Sequence, residues 1–131
     1  MFTFRAKTKA GNWVEGFYVN ISIHEIIYPL PCGNGYDAKE IIPETLGVSY
    51  GRKDLKGNKI FASFRKDDNP NNPYTTGGSM VEHSFFDCSK NECPVLFHDG
   101  AFWVNGVFPL PLHSWDKGEL TVIGYQTGEK L

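Results

Sequence analysis

Cysteine is scarce in this chain of 131 residues, and the three present, Cys32, Cys88 and Cys93, are an odd number. A disulfide framework needs an even set, so the thiols point to a reducing compartment. A Cys88–Cys93 bridge across a four-residue gap is the one local pairing left open. An excess of one charge is also lacking. Thirteen Lys and Arg face fifteen Asp and Glu, a formal charge of -2 at pH 7, whereas a dedicated nucleic-acid domain is strongly basic. Long hydrophobic runs are absent. Nothing approaches the ~18 apolar residues of a membrane span, and no apolar stretch of about 10 follows a basic start as in a signal peptide. The expectation is a protein of the cytoplasm with no membrane partner. No long stretch carries the 3.6-residue period of a helix, and no internal repeat is visible. Walker A, G-x-G-x-x-G and G-x-S-x-G are all missing, which removes the usual anchors of phosphate-cradling and serine-hydrolase readings.

What is abundant is rings and punctuation. Ten Phe, six Tyr and three Trp supply large apolar surfaces, enough for a ring-dominated core, while fourteen Gly and eight Pro break the chain into short pieces. The pieces read as strands of one mainly β, antiparallel domain over 1–131, or an α+β domain with minimal helix. Phe2 and Phe4 alternate with Thr3 and Arg5, and a Gly-Asn turn at Gly11 leads into an aromatic, β-branched run over 13–21, together a first hairpin. A short strand follows over 24–28. Ile41-Ile42 reads as a strand stopped by Pro43, with one helical turn over 44–46. A charged turn with glycines near both ends spans 51–59, and Ile60 to Phe64 returns to strand. The 65–80 stretch has only Tyr74 and Met80 as large apolar groups, so a long, exposed, mobile loop is expected there. Asp99-Gly100 between two apolar runs marks a type I′ hairpin pairing His98 with Ala101, Phe97 with Phe102, Leu96 with Trp103 and Val95 with Val104. Both faces of that hairpin are apolar, so both call for a cover, from the rest of the fold or from another subunit. Proline breaks an apolar run over 107–112, and 119–125 is the last strand.

Residues that could carry chemistry are few. Cys88, Cys93 and His98 lie at intervals of five, with Cys32, His83 or His113 as a fourth ligand. Zinc sites favour tighter pairs, so these remain weak candidates and no metal or other cofactor is expected. Asp67 and Asp68 with their neighbouring asparagines lack the alternating ligands and distal Glu of a calcium loop. Ser84 and Ser89 near His83 and the cysteines are the only hint of Cys/His hydrolase chemistry, and no catalytic residue is assigned. Arg52, Lys53, Lys56 and Lys59, between Tyr50 and Phe61, form a small basic turn. Cations beside rings are how single-strand binders work, and a solvated turn has the same composition.

Three segments resemble, in order, the YopX family of bacteriophage and prophage proteins. Phe4-Arg5-Ala6 followed by Trp13 and Gly16 is similar to its opening. Pro43, Glu44 and Gly47, then Gly51, Lys53, Asp54, Gly57, Ile60 and Phe61, are similar to its central signature. The close over 119–125, with Ile123 and Gly124, is similar to its last strand. The 67–93 region matches no part of it. Where the family continues with Glu-Gly-Asp, this chain reads Ala62-Ser63-Phe64, so any role of those acids does not transfer. The resemblance implies a mostly β fold with barrel-like coiled sheets, frequent oligomers, a phage or prophage origin and no known activity. Its motif positions read physically as turn glycines, a strand-breaking proline and core rings. The functional expectation is a non-enzymatic protein–protein or self-assembling module, a homo-oligomer with a phage or host protein as further partner. The alternative is a nucleic-acid-associated module using the basic turn.

Overall fold

In a computed structural model the chain is described at residues 2–21, 24–29, 38–65, 67, 69, 71–83, 91–105, 110–112 and 120–131. Among the described residues ten strands build two antiparallel five-stranded sheets. The first holds β1 (Thr3–Lys7), β2 (Trp13–Ile21), β3 (His24–Pro29), β4 (Lys39–Glu40) and β5 (Gly47–Ser49), in the order β4-β3-β2-β1-β5. The second holds β6 (Ser79–His83), β7 (Asn91–His98), β8 (Ala101–Val104), β9 (Leu110–Pro111) and β10 (Leu120–Tyr125), in the order β10-β6-β7-β8-β9. The mainly β, antiparallel reading stands. Barrel-like closure does not follow from it: the sheets are two, and neither closes on itself among the described residues.

The hairpins form where turn chemistry demands them. β1 pairs with β2 from Phe4 opposite Gly16 to Lys7 opposite Trp13, around Gly11 at φ +91°. β7 pairs with β8 in the expected register, His98 to Ala101 and Val95 to Val104, with Asp99 at φ 49° and Gly100 at φ 77°. Both central residues therefore take the positive φ of a type I′ turn. Pro43 opens a single 3-10 turn, Pro43–Thr45, in which the Thr45 hydroxyl donates to the Ile42 carbonyl at 2.6 Å and accepts the Lys7 N–H at 2.8 Å.

The run over 60–64, expected as a strand, serves as a stitch between the sheets. Ala62 exchanges backbone hydrogen bonds with Val48 of β5, at 2.7 and 2.9 Å. Ser63 donates to the Val95 carbonyl of β7 at 2.9 Å and accepts from Phe97 at 2.8 Å. Two residues thus carry the hydrogen-bonded ladder from one sheet to the other. The segment read as an exposed loop is held tightly in its second half: Thr75, Gly77, Gly78 and Ser79 are buried.

Two aliphatic clusters make the core. The larger lies around Val81, Val95, Val104 and Leu120; the smaller joins Ala6, Ile27, Ile41 and Leu46, and Phe4 and Phe64 pack against both. Rings do not dominate the interior. Phe61 is the one aromatic among the buried core residues described, and Phe4, Tyr18, Phe64, Phe97 and Phe102 pack against the clusters while only partly buried.

Candidate functional site

The motif residues converge on backbone geometry. Gly47 and Gly77 touch: a Cβ on Gly47 would stand 2.3 Å from the Gly77 carbonyl oxygen, and one on Gly77 would stand 2.3 Å from the Gly47 nitrogen. Only glycine permits that approach. It lets the Gly77 N–H donate to the Leu46 carbonyl at 3.0 Å and the Thr76 N–H to the Glu44 carbonyl at 2.8 Å. Gly51 and Gly57 are required instead for conformation, at φ +97° and +86° with open space around them. Ile60 and Phe61 are buried. Ile123 accepts the Leu131 N–H at 3.1 Å, and a Cβ on Gly124, beside the β10 bulge, would stand 2.4 Å from the Glu129 carbonyl oxygen.

Asp54 is the most heavily used side chain of the set. It is 3% exposed, and its carboxylate accepts the backbone N–H of Lys56 (3.0 Å), Asn58 (2.8 Å) and Val122 (3.0 Å) and the Asn58 amide (3.2 Å). Burial alone would raise its pKa, but the hydrogen bonds from Val122, Asn58 and Lys56 outweigh burial and hold the carboxyl below the usual range. A carboxylate saturated with N–H donors is a structural clasp, because its lone pairs are already taken. At the two positions where the family carries acids, Ala62 is fully buried in the stitch and Phe64 is half-buried; Ser63 between them is fully buried, and its Oγ accepts the Gly78 N–H at 2.9 Å.

Arg5 is the charged residue that sequence reasoning missed. It is 8% exposed and donates from Nε to the Gly77 carbonyl at 2.9 Å. Its guanidinium carbon lies 4.1 Å from the ring centroids of Phe61 and Tyr125 and 5.1 Å from that of Trp13. Burial lowers its pKa to about 10, against the pull of Tyr125, Glu15 and Glu129. Each of those carboxylates has its own lysine: Glu15 pairs with Lys59 and Glu129 with Lys7. The rings therefore act as counter-surface for the cation. The available signal was a lone cation among apolar strand residues at Phe4-Arg5-Ala6.

The basic turn is divided. Lys53 and Lys56 are exposed, whereas Lys59 is tied to Glu15 and Arg52 donates from Nη1 to the Leu112 carbonyl at 3.2 Å. Of the thiol and histidine candidates, the two whose side chains are described, Cys93 and His98, do not come together. Cys93 and His98 lie five residues apart on β7 and so point to opposite faces. Cys93 is buried, with its pKa pushed up by burial, while the His98 side chain is half exposed. Cys32, Cys88, His113, Ser84, Ser89 and Asp68 lie outside the described residues, as does the His83 side chain. Among the described residues no group of three or more His, Cys, Asp or Glu is placed to hold a metal. Asp67 caps its own turn, accepting the Asn69 N–H at 3.0 Å and the Asn72 amide at 2.8 and 2.7 Å.

One surface feature remains. Phe102 of β8 gathers three rings: Tyr50 at 4.7 Å, Phe97 at 5.0 Å and Phe2, stacked at 27°, at 6.1 Å. Phe2 is 53% exposed and Tyr50 36%. On the other face of the hairpin, the Leu96–Trp103 pair is only partly buried. No helix among the described residues is long and apolar enough to cross a membrane. No protein-family model matches the chain, and neither curated proteins nor solved structures give a match.

Proposed function

We propose that this chain is a YopX-like module of phage or prophage origin, acting without catalysis in the host cytoplasm through a protein–protein surface, and first of all by pairing with copies of itself. The observation that carries this reading is the ring cluster of Phe2, Tyr50, Phe97 and Phe102, which leaves over half of Phe2 open to water. A contiguous aromatic patch on a small protein marks an interaction surface, because burying it on a partner releases water from several rings at once. The incompletely covered outer face of the β7–β8 hairpin adds to it. The motif residues support a scaffold: their glycines set turns and contacts, and Asp54 is spent on N–H groups.

The nucleic-acid reading is weaker. Of its four cations, Arg52 and Lys59 are engaged within the fold, which leaves Lys53 and Lys56. Light scattering on the eluting peak of a sizing column at micromolar concentration tests the proposal. An assembly larger than the 14.7 kDa chain is expected, and a clean monomer overturns it.

A further inference from the structure

The segment after the stitch lies beside the tip of the β7–β8 hairpin, and an open cleft of about 490 Å³ lies between them, lined by Arg65, Asp67, Tyr74, Phe97, His98 and Asp99. Its size suits a small ligand. The polar groups form a chain. The Tyr74 hydroxyl stands 3.3 Å from His98 Nδ1, and His98 Nε2 stands 3.1 Å from Asp99 Oδ2. The Tyr74 hydroxyl and the Asp99 carboxylate thus sit on the two nitrogens of one imidazole ring. Arg65 lies over the Tyr74 ring, 4.3 Å from its centroid, and spends Nε on the Asn72 carbonyl at 2.8 Å. Its Nη groups have no other partner among the described residues.

The charges select the class of ligand. Among the described lining residues the fixed charges are of both signs, Arg65 against Asp67 and Asp99, so neither a simple anion nor a simple cation meets a lining of one opposite sign. A neutral ligand needs no such match. It finds donors on Arg65, an acceptor on Asp99, whose side chain is 83% exposed, and a hydroxyl on Tyr74 between them. Tyr74 and Phe97 add aromatic surface to the same lining. A sugar ring has both halves of the complement: a face of C–H bonds for an aromatic ring, and neighbouring hydroxyls, each donor and acceptor, for a planar guanidinium and a carboxylate. We propose that the cleft between Tyr74 and the Asp99-Gly100 turn is a binding site for a neutral saccharide.

The test is a titration of isotope-labelled protein with glucose, galactose, N-acetylglucosamine, maltose and cellobiose, followed by backbone amide shifts. At least one sugar is expected to give saturable shifts centred on Tyr74 and His98 to Gly100, insensitive to added salt because no net charge is neutralised. Asp99→Gly keeps a turn compatible with positive φ, and Tyr74→Leu keeps bulk without the ring or hydroxyl. Each is expected to weaken binding about tenfold while leaving the rest of the spectrum in place. The inference is overturned if no sugar in the set gives saturable shifts with the wild-type protein, or if the shifts persist unchanged in Asp99→Gly. It is equally overturned if inorganic phosphate binds there in a salt-sensitive way and the sugars do not.

Discussion

Asp54 accepts the backbone N–H of Val122 at 3.0 Å across 68 residues of sequence, pinning the charged turn to β10. Asp54→Ala removes the acceptor from three backbone N–H groups at once. We expect a loss of about 3 kcal/mol in urea unfolding, with Asp54→Asn losing less because it keeps one carbonyl. A cost indistinguishable from that of an exposed substitution such as Lys56→Ala would contradict the clasp.

The same carboxylate predicts a pH dependence. Its pKa is lower in the folded chain than in the unfolded one, so in the interval between the two values the unfolded state binds the extra proton. The contribution of Asp54 is therefore fully present above the unfolded value of about 4. It is lost as pH falls through the lower folded value. Urea midpoints of wild type and Asp54→Asn should lie well apart at neutral pH and converge in acid. A gap that stays constant would remove the assignment.

Gly47 and Gly57 both belong to the motif but for different reasons, and substitution separates them. At Gly57 the obstacle is φ +86° with open space around it. Asn, which tolerates that region, should cost less than Ala, and Ala about 1 kcal/mol. At Gly47 the obstacle is the backbone of Gly77. Ala and Asn should both cost about 3 kcal/mol or prevent folding, since neither segment can yield without breaking its hydrogen bonds. Equal tolerance of Asn at the two sites in thermal unfolding would show that the contact is not close.

Arg5 should resist replacement by lysine. A compact ammonium loses the guanidinium's broad contact with the Phe61 and Tyr125 rings and the directed Nε bond to Gly77. Arg5→Lys is expected to destabilise by about 2 kcal/mol. Arg5→Met, which removes the buried charge while keeping the length, is expected to cost less. Calorimetry on the two variants decides, and the reverse order would mean that the cation, and not its shape, is what the rings hold.

The legible part of this fold was what short-range chemistry controls. Asp99-Gly100 fixed the register of β7 and β8 because a type I′ turn allows few other pairings, and the alternation at Phe2 to Arg5 located β1. The stitch at Ala62 and Ser63 was not legible as such. An apolar run looks like a strand whether it pairs over its length or bridges two sheets at two residues, and that depends on partners far away in sequence. Burial of Thr75 and of Gly77 to Ser79 was hidden for the same reason: small polar residues mark loops and also close backbone contacts, and only the Gly47–Gly77 approach distinguishes them. The ring count raised the expectation of an aromatic core, but composition does not say on which side of a sheet a ring falls. The Phe2–Phe102–Tyr50 cluster joins three distant segments, so no local pattern announced it.

That cluster is the interface in this account, and sedimentation equilibrium of the wild type beside Phe2→Ser tests it most directly. Phe2 lies outside β1 and is about half exposed, so the substitution should leave the unfolding free energy measured in urea within about 0.5 kcal/mol of wild type. We expect the wild type to assemble and Phe2→Ser to shift strongly towards the monomer. Assembly of equal strength in both proteins would place the interface elsewhere, and a monomeric wild type would contradict the proposed function itself.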